Sequence, residues 1–225
     1  GKGSAAASAP RAQTMALPYS DDFDAYPTAA TPRYVSDMEG AFQVAPCSTA
    51  PQAASGSRGT GGCLRQAVTT QPTKWSRVAA PLTLSGDSQW TDYTVSAKVM
   101  IDHTGTASLL GRVVNQLNNV GTGRVNVWQG YYLKLSDSGA WSLEVVAPDK
   151  TIRVLASGSL SSAGADTWHR LSLGFSGETV TAHIDGTEVA HVSDATYDHG
   201  QVGLGLDSYT TSQFDDLEVL PAQNA

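Results

Sequence analysis

Ten consecutive residues, Asp92 to Ile101, alternate without interruption. Tyr93, Val95, Ala97, Val99 and Ile101 fall on one face, and Asp92, Thr94, Ser96, Lys98 and Met100 fall on the other. A period of two puts successive side chains on opposite sides of a strand, so this segment is a strand with one face in a core. The pattern recurs along the chain to its end, and a chain built this way has few choices beyond stacking sheets.

Short strands are expected near 40–44, 63–68, 82–84, 92–101, 107–115, 124–127, 130–136, 141–147 and 151–156. In Thr167–Phe175, Leu171, Leu173 and Phe175 point inward. Val180–Ile184 then meets Asp185-Gly186, a two-residue hairpin turn, and Thr187–Val192 returns from it. Val202–Leu206 and Phe214–Val219 close the series, and no segment reads as a long helix. Many short strands separated by turns predict an all-β, antiparallel β-sandwich. The sandwich is expected over 17–221, with 1–16 a linker or remnant of something upstream and 222–225 a tail.

The chain has 225 residues and a net charge of −7, with only 14 Lys plus Arg. No basic stripe is visible, which excludes a nucleic-acid partner. No apolar run reaches the ~20 residues of a membrane span. Cys47 and Cys63 flank a Gly/Ser/Thr-rich stretch too polar to bury two free thiols, so a disulfide and an oxidising, extracellular setting are expected. A bridge of this span stabilises by about 3 kcal/mol. Two cysteines this far apart with no nearby His make no zinc site.

Several runs occur in a telling order: Tyr19-Ser20-Asp21-Asp22-Phe23, Leu64-Arg65-Gln66, Gln71-Pro72-Thr73-Lys74-Trp75, Gly86-Asp87-Ser88-Gln89-Trp90-Thr91, Gly111-Arg112-Val113 and Gln213-Phe214-Asp215-Asp216. Together the set, over roughly 19–220, resembles the C-terminal lectin-like domain of galactocerebrosidase-type glycoside hydrolases. The resemblance implies a concanavalin A-like lectin jelly roll associated with carbohydrate. It does not imply hydrolysis, because that family's catalytic glutamates lie in a (β/α)-barrel for which this chain has no room. The Cys47–Cys63 insertion departs from the family pattern.

Asp21, Asp22 and Asp24 open the folded part and Asp215 and Asp216 close it. The two ends of a sandwich are often neighbouring strands, and carboxylates gathered there repel unless a hard cation lies between them. Calcium takes oxygen ligands of this kind. The resemblance implies a structural Ca2+, with Asp22 and Asp215 as side-chain ligands and carbonyls near Gly40 as partners. The alternative is aspartates that cap turns. No EF-hand loop is present.

A sugar offers apolar C–H faces and hydroxyl edges, so its site needs rings and polar groups on one surface. In Gly130–Ser136, Tyr131, Leu133 and Leu135 face the core while Tyr132, Lys134 and Ser136 face out. Arg112, Asn126, Trp128 and Tyr132 form the expected constellation, against the alternatives of a core Trp128 and an ion-paired Arg112. Trp75 matches the segment from which, in the resembled family, a lectin-domain tryptophan reaches the galactose pocket; the alternative is a ring packed under the cysteine loop. Trp90 and Trp168 are read as core indoles, and Trp141 as a hairpin cover.

No Gly-x-Ser-x-Gly or His-Glu-x-x-His occurs. His183 and His191 flank the hairpin turn and are read as a cross-strand pair. Glu144, Glu178, Glu188 and Glu218 are dispersed, and no spacing sets two carboxyls across one sugar. The expectation is therefore a secreted, monomeric, non-catalytic module binding a galactoside or galactan-type glycan, with an upstream catalytic domain as possible neighbour. The rivals are a sandwich-fold lyase or glycosidase, and a structural accessory domain that packs on a catalytic barrel.

Overall fold

The computed structural model describes residues 15–71, 80–114 and 127–223. In chain order its strands are β1 (Tyr19–Asp21), β2 (Val35–Glu39), β3 (Phe42–Pro46), β4 (Gly62–Gln66), β5 (Leu82–Ser85), β6 (Tyr93–Met100), β7 (Thr106–Val114), β8 (Gln129–Ser136), β9 (Ala140–Val146), β10 (Ile152–Ser159), β11 (Trp168–Ser176), β12 (Thr179–Ile184), β13 (Thr187–Ser193), β14 (Gln201–Leu206) and β15 (Gln213–Pro221). Among the described residues there is no helix.

The first sheet runs β13-β12-β11-β6-β15-β4-β3, with β1 added against β15, and the second runs β10-β9-β8-β7-β14-β5-β2. Every named strand pair is antiparallel. Between the sheets lies one core, in which Tyr93, Val95, Ala97, Val99, Leu171, Leu173 and Phe175 meet Leu109, Tyr131, Leu133, Leu143, Val145 and Leu204. Tyr93, Val95, Ala97, Val99, Leu171, Leu173, Phe175, Tyr131 and Leu133 are among the residues the alternation assigned inward. A side chain at Gly111 would strike the Phe175 ring at 2.3 Å, so glycine there lets the sheets close up. Asp185 and Gly186 have φ of 53° and 82°, as a two-residue hairpin turn requires. The chain is already packed at Met15, inside the expected linker: its carbonyl accepts the Trp90 indole N–H at 3.0 Å.

The Cys47–Cys63 disulfide is formed, with 5.0 Å between the Cα atoms. The loop it closes lies over a separate apolar cluster of Cys63, Met100 and Trp168. Trp168 therefore does not lie between the sheets as the sequence reading placed it. Its indole donates to the Ser48 carbonyl at 3.0 Å, and its ring fills the space that glycine leaves at position 59. Met100, on the polar parity of its strand, is buried for the same reason. His183 and His191 are also not opposed: the two-residue turn sets His183 opposite Glu188, and a register shift beyond that pair brings His191 opposite Thr181.

Candidate functional site

The outer face of the second sheet is not a solvent face. Leu84, Gly203, Leu110, Tyr132, Glu144 and Val154 follow one another from β5 across to β10 in register. The next row is Leu82, Gly205, Ser108, Lys134 and Ser142. Leu82, Leu84, Leu110 and Val113 form a buried cluster here, with Met38, Trp128 and Tyr132 packed on it. Bare backbone at Gly203 and Gly205 lowers the floor between the leucines, since a side chain there would press on Leu84, Leu82 and Leu110. The result is a groove of ≈ 330 Å³, lined by Leu82, Leu110, Trp128, Tyr132, Lys134 and Ile152 among others, with Ser108 and Asp207 as further polar lining.

Trp128 and Tyr132 are half-buried and fixed to each other, the tyrosine hydroxyl donating to the Trp128 carbonyl at 2.6 Å. Burial first, and then the Glu144 carboxylate, raises the Tyr132 phenol well above its ordinary range, so it stays a neutral ring. Lys134 Nζ lies 5.4 Å from that ring's centroid and 2.5 Å from Glu144 Oε2. Such a surface offers two fixed rings, an apolar floor and a few donors and acceptors, which is what a saccharide ring needs.

Trp128 and Tyr132 are thus brought together on one face, but Arg112 is not with them. β7 carries a bulge between Gly111 and Val114, and Arg112 has φ of 45°. The extra residue shifts the parity, so Val113 joins the outer cluster and Arg112 turns inward. Its guanidinium, 1% exposed, donates to the carbonyls of Thr91, Gly177 and Tyr197 and to Asp92 Oδ1, and lies 4.9 Å from the Phe175 centroid. Every direction in which it could meet a ligand is taken by loop backbone. Trp75 and Asn126 lie outside the described residues.

At the metal candidates, β1 pairs with β15, Asp21 opposite Leu217, so the two acidic ends are neighbours. Asp22 and Asp216 border a hollow of ≈ 460 Å³ on the first sheet's outer face, with Lys98, Arg170 and Glu218. Asp215 does not line it. Fully buried, it accepts the Thr60 N–H at 2.9 Å through Oδ2, lies 4.0 Å from Cys47 Sγ, and leaves Oδ1 without a partner. Burial lifts its carboxyl to about 7. Asp24 reaches the same turn, accepting the Gly62 N–H at 2.7 Å, while Asp22 accepts the Asp24 N–H at 3.0 Å. Gly40 lies at the far end of the β3–β4 ladder, beyond Phe42 opposite Gln66, whereas Gly62 is opposite Pro46; its carbonyl surroundings belong to another part of the molecule.

The groove's leucines, its glycine floor and the Lys134–Glu144 pair were missed from sequence. A signal was present: Gly203 and Gly205 share one parity of β14, and Leu82 and Leu84 share the matching parity of β5.

A family model described as galactocerebrosidase, C-terminal lectin domain, matches residues 49–222. The chain belongs to this family. Galactocerebrosidase of Danio rerio is 29% identical to this lectin domain over 208 residues, covering 90% of the chain and 29% of that protein. The Mus musculus protein is 28% identical over 169 residues, with 71% and 23% covered. The lectin domain thus spans less than a third of the curated relatives it matches. In fold it is similar to a carbohydrate binding module, CBM66, from Bacillus subtilis (TM-score 0.56, 14% identity, 83% of this chain and 94% of that one). A β-1,3-1,4-glucanase (lichenase) from a mouse hindgut metagenome is similar as well (TM-score 0.62, 12% identity, 91% and 99%). The jelly-roll sandwich expected from the sequence is therefore the fold of this lectin domain.

Proposed function

We propose that this chain is a non-catalytic carbohydrate-binding module of a secreted glycoside hydrolase, and that it holds a galactose-containing glycan in the groove on its second sheet. The observation that carries the reading is the fixed Trp128–Tyr132 pair over an apolar floor, beside the Lys134–Glu144 pair. C–H faces of the sugar stack on the rings, and hydroxyls meet Lys134, Ser108 and Asp207 on the groove wall. Trp75 and Asn126 are proposed to complete the site. The disulfide supports an oxidising compartment.

A structural Ca2+ is part of the proposal. A buried carboxylate with one bare oxygen is costly without a cation, so Asp215 fits such an ion. Asp22 is proposed as the second side-chain ligand, with Asp24, which accepts the Gly62 N–H, as a further candidate. The ion would lock the 60–62 turn to the first and last strands.

One observation favours a second role as a docking domain: Ile152 and Val154 are 49% and 55% exposed at the edge of the same face. Titration calorimetry with a neutral galactan separates the two. Binding that weakens about tenfold in Trp128→Ala, the scale of one lost stacking contact, supports the glycan reading. A glycan array silent for the intact chain overturns it.

A further inference from the structure

Glu144 is out of place for packing. It stands directly opposite Tyr132, in a row otherwise made of leucine, glycine, tyrosine and valine, and its side chain is only 14% exposed. A branched aliphatic would fill that position without burying a charge, and an ion pair in an apolar wall adds little or nothing to stability. The pair with Lys134 must therefore be read from the groove side.

Lys134, 30% exposed, lines the groove and is the one cation that does so among the described residues. Left alone, an ammonium beside two rings is a general receptor for carboxylated or sulfated sugars. Glu144 neutralises it at 2.5 Å, and Asp207 adds a further negative charge to the same wall. An anionic ring entering the groove meets a surface of net negative sign on a chain whose total charge is −7. A neutral ring meets something else: an ammonium on the groove wall with N–H groups to spare for a hydroxyl, its charge already balanced from behind by Glu144.

We infer that Glu144, acting through Lys134, sets the specificity of the groove, restricting it to neutral saccharides and turning away uronate and sulfate-bearing ones. The inference rests on the groove being the glycan site.

Polygalacturonate and its carboxyl-reduced form share one backbone and differ only in the charge at C6. Affinity electrophoresis of the intact chain in the two polymers, alongside a neutral β-galactan, gives the test. The wild-type chain is expected to be retarded at least tenfold more strongly by a neutral polymer than by the acid. Glu144→Gln, its fold checked by thermal melting, is expected to narrow that ratio to about threefold or less by gaining affinity for the acid, and the gain should vanish in 0.5–1 M salt, where the Debye length is about 3–4 Å. Lys134→Met loses neutral binding about tenfold and gains nothing on the acid, which keeps the test decisive should the glutamine variant fail to fold. Equal binding of acid and neutral polymer by the wild type overturns the inference, as does a ratio unmoved by Glu144→Gln. Should the wild type bind none of the polymers, or bind them unchanged in Trp128→Ala, the groove itself is not a glycan site and both readings fall together; binding that is lost in Trp128→Ala but shows no charge preference sinks the inference alone.

Discussion

The two outer faces of this sandwich look, by composition, as if their roles should be reversed. On the first sheet, Thr94, Ser96 and Lys98 of β6 stand beside Arg170 and Ser172 of β11 and Thr181 of β12, a face crowded with hydroxyls and charges. On the second, leucines, two rings and the ion-paired Lys134 line a groove. The polar face satisfies itself: Lys98 pairs with Asp216 at 2.5 Å and donates to the Arg58 carbonyl at 3.2 Å, and Arg170 donates to Ser96 Oγ at 3.2 Å. The apolar face is the one with unmet surface. Polarity along a strand marks contact with water, whereas affinity for a sugar needs area that water covers badly, with a few directional groups set into it.

The comparison is broken most severely through the residue that belongs to neither face. Arg112→Met removes the cation holding Thr91, Gly177 and Tyr197 and leaves three carbonyls without their donor, at about 1–3 kcal/mol for each that stays buried; unfolding in urea is expected to show a loss of several kcal/mol. A ligand-contacting arginine on an open face would instead leave stability nearly untouched. Smaller, but confined to one face, is Gly205→Val. Its φ lies outside the left-handed region and its nearest neighbour would be Leu82 Cδ1 at 3.3 Å, so the strand accepts the side chain and the groove loses its floor. Glycan affinity should fall about tenfold or more with Tm shifted by only a few degrees, while Ser172→Leu on the opposite face changes no affinity.

The acidic end of the first sheet responds to calcium. Chelation should lower Tm, and restoring the ion at 100 times its Kd should return about 2.7 kcal/mol. Asp215→Asn, which keeps the shape without the charge, should abolish the response; an unchanged melt on chelation sinks the metal reading.

The smallest expected effect is on pH, and it too sits with the first sheet. His169 is fully buried with Nδ1 2.6 Å from Asp185 Oδ2 and Nε2 2.9 Å from the Ala163 carbonyl, so both ring nitrogens face acceptors. Burial works to lower its pKa, but the Asp185 carboxylate and the carbonyl together outweigh it and the pKa is raised. A raised histidine stabilises the fold fully below about pH 6.5 and loses that contribution as pH climbs through the folded value. Asp215, lifted to about 7 chiefly by burial, has the same sign: the folded state holds its proton where the unfolded chain has lost it, so stability drops between pH 4 and 7. The metal-free domain should melt higher at pH 5 than at pH 8, by about 2–4 °C per kcal/mol. His169→Gln should flatten the part above pH 6.5, and calcium the part below.

What could be read in advance follows from which interactions are local. The strand Tyr93–Met100, the inward set Tyr131, Leu133 and Leu135, and the Asp185-Gly186 turn each declare themselves within a few residues, by parity or by positive φ. The disulfide was legible because the loop between its cysteines had nothing else to bury. Arg112 was misplaced because a bulge moves parity by one, and nothing in Gly111-Arg112-Val113 marks the extra residue before the loops it binds are known. Trp168 was assigned between the sheets because burial was foreseen but not the lid of 47–63 that supplies it. Glu144 could not be paired with Lys134 without the β8–β9 register, which is set by the turn and the core rather than by either residue.

Because one guanidinium anchors the backbone at Thr91, Gly177 and Tyr197, the three connections that meet at that rim of the sandwich cannot drift apart independently. Grafting a longer segment into any one of them would unseat the other two. The Asp185-Gly186 hairpin tip is no freer for such a graft, since Asp185 ties it to His169, to the Arg170 N–H and to Ser57 in the disulfide loop.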